Sequence, residues 1–146
     1  MNLEHLNDHP LLRYLTEEEI SLVRSACIKK IYEPGDILID LGQRNRDIIS
    51  LDEGSVSIQI ETLGGMLTEV AQTHQGNVIG EMNFVIPTRR TANVIALTKV
   101  RTTIFPYQEL TQLLNRQNTI AYKIFAAINL SLAEKYITML QDPDGE

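Results

Sequence analysis

The residues between Ile37 and Thr103 carry the pattern that most restricts the possible folds of this chain. Their apolar side chains alternate with polar ones or come in short runs rich in β-branched residues, which is typical of strands with one buried face. Glycines separate these runs at intervals that suit the loops of a small antiparallel sheet, and the pair Gly64-Gly65 predicts a hairpin. We therefore predict a mainly β fold, an antiparallel β-barrel or jelly roll from about Lys29 to Phe105. The groups are Ile37/Ile39, Val56/Ile58/Ile60, Leu67/Val70, Val94/Ala96 and Val100/Thr102/Ile104, and the glycines are Gly42, Gly54, Gly64, Gly65 and Gly76.

Helical patterns flank this region on both sides. The segment Thr16–Glu19 predicts a capping box, in which the threonine and the last glutamate satisfy each other's backbone amides at the start of a helix. After the last predicted strand, the apolar residues change to a spacing of three and four. This spacing predicts a short helix from Tyr107 to Asn115 and a longer one from Asn118 or Thr119 to about Gln141. We expect the polar residues 142–146 to form a disordered tail.

The composition predicts a single cytoplasmic domain. With 146 residues, 43% of them hydrophobic, the chain is long enough to bury one core and too short for two ordinary domains. Its net charge of -6 argues against broad binding to nucleic acid, which needs a basic face. No apolar run reaches the roughly 18 residues of a membrane span, and the amino terminus does not resemble a signal peptide. The single cysteine, Cys27, suits a reducing cytosol, and we expect it to be a buried structural thiol.

The sequence lacks the usual patterns of catalytic and metal-binding sites. Its three histidines are His5, His9 and His74, and only His74 lies among the predicted strands. The set of histidines that holds the ion in a metal-binding barrel of similar shape is therefore missing. The chain also lacks a glycine-rich phosphate loop and a Ser/His/Asp or Cys/His combination near an expected pocket. We expect no catalytic activity, no metal and no cofactor.

The segment Gly80–Val94 carries the chemistry of a small ligand site. Gly80 and Glu81 come directly before a short apolar turn, and Arg90 follows nine residues after Glu81. A carboxylate accepts hydrogen bonds from sugar hydroxyls, and a guanidinium group binds phosphate through several parallel hydrogen bonds. Free backbone amides at the start of the turn would favour an anion. These groups fit a ligand with adjacent ribose and phosphate, of which a cyclic nucleotide is the compact example.

Three segments together resemble the cyclic-nucleotide-binding domain family, which includes cyclic AMP receptors, kinase regulatory subunits and gated channels. The phosphate-binding cassette of that family joins Gly-Glu to a later Arg-x-Ala-x-Val-x-Ala, a register that Arg90 fits and Arg89 does not. The resemblance runs from about Leu11 to Leu140 and implies one stand-alone domain over residues 1–146. It also implies a barrel with one helical segment before it and two after it. The three segments are Tyr32–Gly42, Ile48–Ile58 and Gly80–Ala96.

The resemblance further implies which residues contact the ligand. Glu81 would bind the ribose 2′-hydroxyl and Arg90 the exocyclic phosphate oxygens, while Arg89 would face solvent. Thr91 stands where the cGMP-binding kinase branch and the channel branch of the family carry threonine. The hydroxyl of that threonine can contact both the phosphate and the guanine. Asn93 replaces a threonine or serine that is usual in the family. We expect cAMP ahead of cGMP, because cAMP is the commoner ligand of soluble members. The predicted contacts are Ile79, Gly80, Glu81, Met82, Asn83, Arg90, Thr91 and Ala92.

Two functions of different kinds are consistent with these residues. The first is a non-catalytic sensor that binds a cyclic mononucleotide and signals through its C-terminal helix to a dimer partner or to a separate effector. The second is a degenerate member of the fold that serves as a protein-interaction or dimerisation module without nucleotide. A DNA-binding regulator is disfavoured because no helix-turn-helix segment follows Gln141. The C-terminal helix is apolar on more than one side, so it would cover the base or pair with a second copy. The candidates for covering the base are Leu132, Ala133, Tyr136 and Ile137.

Overall fold

A computed structural model of the chain describes residues 9–141. The contacts between Cα atoms divide the chain into two compact units. One unit is the continuous segment Lys29–Ile104, and the other combines the chain up to Ile28 with the chain from Phe105 onward. The predicted tail, residues 142–146, and His5 lie outside the described residues.

The segment Lys29–Ile104 contains two four-stranded sheets with the strand orders β1-β8-β3-β6 and β2-β7-β4-β5. Adjacent strands are antiparallel, as in the pairs β3·β6, β2·β7 and β4·β7. The predicted hairpin at Gly64-Gly65 is confirmed, because it joins β4 to β5. The mainly β fold predicted from the alternating pattern is confirmed as well. The strands are β1 (Ile28–Tyr32), β2 (Ile37–Ile39), β3 (Ile48–Glu53), β4 (Ser55–Glu61), β5 (Leu67–His74), β6 (Val78–Ile79), β7 (Asn93–Ala96) and β8 (Val100–Phe105).

The inner faces of the two sheets share one apolar core. Successive side chains of a strand point to opposite faces, so the alternating residues of each strand reach the same side. One sheet contributes residues from β1, β3, β6 and β8, and the other contributes residues from β2, β4 and β7. Burial of this apolar surface is the main stabilising contribution to the sheets. The core residues are Tyr32, Ile39, Ile49, Leu51, Val56, Ile79, Val94, Ala96 and Val100.

A short helix, α2 (Glu81–Val85), lies between β6 and β7. The other helices are α1 (Glu17–Ser25), α3 (Tyr107–Arg116) and α4 (Asn118–Gln141). The predicted capping box is present at the start of α1, since Glu19 N donates to Thr16 Oγ1 at 3.2 Å and Thr16 N donates to Glu19 Oε1 at 2.8 Å. Within residues 9–141, no helix is both long enough and apolar enough to cross a bilayer.

Cys27 follows α1 and is only partly buried. Its Sγ donates to the backbone oxygen of Val23 at 3.3 Å, which is the behaviour of a thiol that closes the last helical turn. The expectation of a buried thiol was therefore wrong, since Cys27 lies just beyond the cap of α1 and is only partly buried.

Candidate functional site

The segment between β6 and β7 places the predicted ligand contacts around one helical turn. Ile79 ends β6, and Gly80 follows it with φ of +85°, a left-handed conformation that L-residues with a side chain rarely adopt. This conformation turns the chain into α2, so that Glu81 and Asn83 point to the buried side and Met82 is exposed. No side chain caps the start of α2.

Arg90 is the centre of the hydrogen-bond network in this segment. Its Nη1 donates to Gly80 O at 3.3 Å and to Asn83 Oδ1 at 3.2 Å. Its Nη2 donates to Asn45 Oδ1 at 2.8 Å and to Asp47 O at 2.7 Å. The guanidinium thus joins the turn at Gly80 and helix α2 to the loop between β2 and β3.

The same guanidinium is a buried cation that forms no direct ion pair within residues 9–141. Arg90 is 3% exposed, and none of the ion pairs among residues 9–141 includes it. Its four acceptors are neutral carbonyl or amide oxygens, and its buried Nε has no acceptor. Burial lowers the pKa of Arg90 from its ordinary value, while the charge of Asp47 acts in the opposite direction. A guanidinium nevertheless stays protonated in proteins, so this buried positive charge favours an anionic partner.

Glu81 is the second charged group of the segment and is 2% exposed. It occupies the first turn of α2, where a carboxylate also interacts favourably with the helix dipole. Glu81 already has an interaction partner within the protein. A sugar hydroxyl would therefore add to, or replace, an existing contact of this carboxylate.

The side chain of Asn83 has a role that the sequence did not indicate. Its Nδ2 donates to Thr88 O at 3.0 Å, to Thr88 Oγ1 at 3.2 Å and to Arg89 O at 3.3 Å. Its Oδ1 accepts from Arg90 Nη1. Asn83 therefore orders the turn that leads to Arg90 and also holds the guanidinium.

The two neighbouring arginines differ sharply in environment. Arg89 is exposed and donates from Nη1 to Gly42 O at 2.9 Å, whereas Arg90 is buried. After them, Thr91 is exposed and Ala92 is half-buried. Asn93 is buried and accepts from Leu41 N at 2.6 Å through Oδ1, which gives it a structural contact with the chain after β2.

The loop between β2 and β3 supplies partners that the sequence analysis missed. Besides Asn45 and Asp47, Arg46 donates from Nε to Asn83 O at 2.9 Å and from Nη2 to Phe84 O at 2.8 Å. These bonds satisfy carbonyls at the end of α2. The one local signal in the sequence was the Asn-x-Asp spacing of a turn, in which Asp47 N donates to Asn45 Oδ1 at 2.9 Å.

A cavity of about 200 Å³ adjoins this loop and reaches Arg90. Its lining includes two cations, Lys30 and Arg90, and two carboxylates, Asp40 and Asp47, and Glu81 is not among the lining residues. Lys30 Nζ lies 4.8 Å from the centroid of the Tyr32 ring. Among residues 9–141, no group of histidine, cysteine or carboxylate side chains is arranged to hold a metal ion.

Comparisons with known proteins identify the family of this chain. The family model described as "Cyclic nucleotide-binding domain" matches residues 29–117. The chain is 32% identical over 96 residues to the cAMP-dependent protein kinase regulatory subunit of Dictyostelium discoideum. The aligned region covers 66% of this chain and 29% of that protein. It is 29% identical over 93 residues to the type II regulatory subunit of Drosophila melanogaster, covering 64% of this chain and 24% of that protein. The chain thus spans less than a third of the length of these curated relatives.

Solved structures share the fold. A cyclic nucleotide-binding domain from Methylobacillus flagellatus superposes with a TM-score of 0.84 at 19% identity, covering 93% of this chain and 76% of that one. The N-terminal domain of a transcriptional regulator from Streptomyces coelicolor gives a TM-score of 0.78 at 24% identity, covering 90% of this chain and 94% of that one. The matched family is a non-catalytic regulatory domain, which confirms the prediction that this domain is not an enzyme. The chain belongs to the cyclic nucleotide-binding domain family.

Proposed function

We propose that this chain is a sensor that binds a cyclic mononucleotide at the segment from Ile79 to Ala92. The observation that carries the proposal is Arg90, a buried guanidinium that has only neutral acceptors and one buried donor without an acceptor. Such a cation favours an anion at its remaining edge, and the cyclic phosphate of the ligand supplies one. Membership of the family supports the choice of a nucleotide over other phosphates.

In this proposal the remaining contacts are those that the resemblance to the family's phosphate-binding cassette implies. Glu81 accepts from the ribose 2′-hydroxyl, and Arg90 binds the exocyclic phosphate oxygens. The main-chain amides of Met82, Asn83 and Thr91 or Ala92 complete the anion site. The absence of a side-chain cap at the start of α2 supports this assignment, because it leaves amides of the first turn without a side-chain acceptor.

Isothermal titration calorimetry with cAMP, cGMP and cyclic di-GMP tests the proposal directly. We expect saturable binding of at least one cyclic mononucleotide and none of cyclic di-GMP, whose second nucleotide exceeds a site for one ribose and one phosphate. If neither mononucleotide binds to the folded protein, the proposal fails and the alternative, a protein-interaction module without nucleotide, takes its place.

We favour cAMP over cGMP, since the curated relatives are named for cAMP dependence. Thr91 bears on this preference, because it is exposed and the resemblance to the family assigns its hydroxyl a contact with the ligand. Replacing Thr91 by alanine should weaken cGMP more than cAMP, by about 10-fold, the scale of one lost hydrogen bond. Only guanine in the syn form offers an amino group to this hydroxyl. Parallel titrations of both nucleotides measure the difference, and equal losses would limit the hydroxyl to phosphate contact.

We further propose that α4 transmits the signal to a dimer partner or a separate effector. Its residues Ile120, Ile124 and Ile128 are buried, whereas several apolar side chains of the same helix are exposed. A helix with apolar residues on a second side favours another apolar partner. The exposed apolar side chains are Tyr122, Phe125, Tyr136, Ile137, Met139 and Leu140.

Hydrogen exchange along α4, measured with and without nucleotide, tests this step. We expect slower exchange of the amides around Leu132 to Ile137 on binding, because a ligand shifts an equilibrium toward the state that it binds more tightly. Truncation after Asn129 should weaken binding if the helix covers the base, and should remove dimers if it forms an interface. Unchanged protection in a protein that binds nucleotide would show that the signal leaves by another route.

A further inference from the structure

The hydrogen bonds of Arg90 distinguish the two edges of its guanidinium group. In the planar group, Nε–H and one N–H of Nη2 point in parallel along the side edge, and this pair is one of the forks that binds phosphate bidentately. Nη1 and the other N–H of Nη2 form the end edge. Nε is the donor without an acceptor, so the side edge offers at least this N–H to a ligand.

Nη2 of Arg90 donates to two acceptors of different kinds. Asp47 O, at 2.7 Å, belongs to the backbone. Asn45 Oδ1, at 2.8 Å, belongs to a side chain that can rotate. A phosphate that binds through Nε and Nη2 together therefore meets Asn45 as the acceptor at Nη2 that can move aside.

The side chain of Asn45 is held lightly enough to leave this position. Asn45 is exposed, and it also bonds to Asp47 within the same loop: its Oδ1 accepts from Asp47 N at 2.9 Å, and its Nδ2 donates to Asp47 Oδ2 at 3.2 Å. Rotation of the amide toward solvent exchanges these bonds for bonds to water. The backbone acceptors of Arg90, in contrast, are fixed by the fold.

We infer that Asn45 determines affinity at this site by competing with the phosphate of the ligand for Nη2 of Arg90. The inference rests on the proposed function, because the competitor is the bidentate phosphate that would take Nε and Nη2 together. Binding then includes the displacement of a neutral amide oxygen, and it restores an acceptor to the buried Nε. The same reasoning holds for any ligand that offers two phosphate oxygens in one plane.

Removal of the Asn45 side chain should change nucleotide affinity in opposite directions, depending on whether Asn45 competes with the phosphate or positions Arg90. Asn45→Ala removes the competitor and should tighten nucleotide binding about 2- to 10-fold, the worth of one hydrogen bond. Asn45→Asp places a carboxylate against the guanidinium and should weaken binding about 10-fold or more, since a charge-assisted bond is roughly twice as strong. If Asn45 instead positioned Arg90, its truncation would weaken binding.

The experiment is calorimetry with cAMP and cGMP on the wild type, Asn45→Ala and Asn45→Asp. Gln75→Ala, an exposed amide truncation in the turn after β5, is the matched control and should leave affinity unchanged. Thermal melting of each variant confirms that it is folded. Equal or weaker binding by Asn45→Ala overturns the inference while nucleotide binding itself stands.

A second probe separates failure of the inference from failure of the proposed function. Inorganic phosphate is titrated while the Arg90 Nε–H resonance is followed by NMR, with Arg90→Lys used to identify the signal. We expect the resonance to shift at lower phosphate concentration in Asn45→Ala than in the wild type. If no nucleotide binds but this difference is seen, the proposed function fails and competition at Arg90 remains. If the two phosphate titrations coincide, competition is excluded.

Discussion

Replacement of Arg90 by alanine is expected to weaken cyclic nucleotide binding about 30- to 5,000-fold, which would nearly abolish it. The range corresponds to roughly 2–5 kcal/mol for truncating one partner of a buried, hydrogen-bonded charge pair. The guanidinium is 3% exposed, so water screens its attraction to a bound phosphate only weakly. Its Nε also has no acceptor within the protein, so a phosphate oxygen would be the acceptor for this N–H. Calorimetry with cAMP and cGMP measures the loss.

The neighbouring arginine offers a matched control for this prediction. Arg89→Ala removes the same charge from an exposed position whose Nη1 contacts only the backbone oxygen of Gly42, so affinity should change little. Equal losses from the two variants, or a larger loss at Arg89, would show that the register between sequence and site is shifted by one residue. Melting of Arg90→Ala is needed beside the titration, because the substitution also removes the hydrogen bonds that Arg90 donates to Gly80 O and Asp47 O. Arg90→Lys keeps the charge but loses the two parallel N–H donors of the guanidinium. Its affinity for nucleotide should therefore lie between that of Arg90→Ala and that of the wild type.

The elements that the sequence predicted correctly are those specified by local pattern. The capping box at Thr16, the hairpin at Gly64-Gly65 and the change to helices after β8 each depend on residues a few positions apart. The difference between Arg89 and Arg90 was also predicted, because the resemblance to the family's cassette, with its register Arg-x-Ala-x-Val-x-Ala, assigned the inward position to Arg90.

The loop between β2 and β3 was not predictable in this way. The bonds from Arg90 to Asn45 and Asp47 join residues 45 and 43 positions apart, and those from Arg46 to Asn83 and Phe84 span 37 and 38 positions. Polar loop residues of this kind are equally consistent with a solvated turn, and only the tertiary fold brings them to the cassette. The side-chain bonds of Asn83 were missed for the same reason, since a polar residue in a short helix carries no signal of its orientation.

Gly80→Ala is expected to reduce both stability and nucleotide binding, and it tests whether close packing around Arg90 maintains the site. The added Cβ would lie 2.6 Å from Arg90 Nη1 and 2.9 Å from Asp47 O, distances that force one of the groups to move. Asp47 O belongs to the backbone, so the guanidinium is the group that gives way. The left-handed conformation at Gly80, with φ of +85°, adds a cost of roughly 1–2 kcal/mol for a residue with a side chain.

The contribution of packing at Gly80 is isolated by Gly76→Ala. Gly76 has φ of +93°, but a Cβ there would meet no heavy atom within 4 Å, so its variant carries the backbone cost alone. We expect both variants to melt at lower temperature than the wild type, and only Gly80→Ala to lose at least about 10-fold in affinity, or ~1.4 kcal/mol. Calorimetry below the melting transition of each variant provides the comparison. Equal affinities would mean that Arg90 reaches its ligand from more than one position, in which case the bonds to Asn45, Asp47, Gly80 and Asn83 do not set the geometry of the anion site.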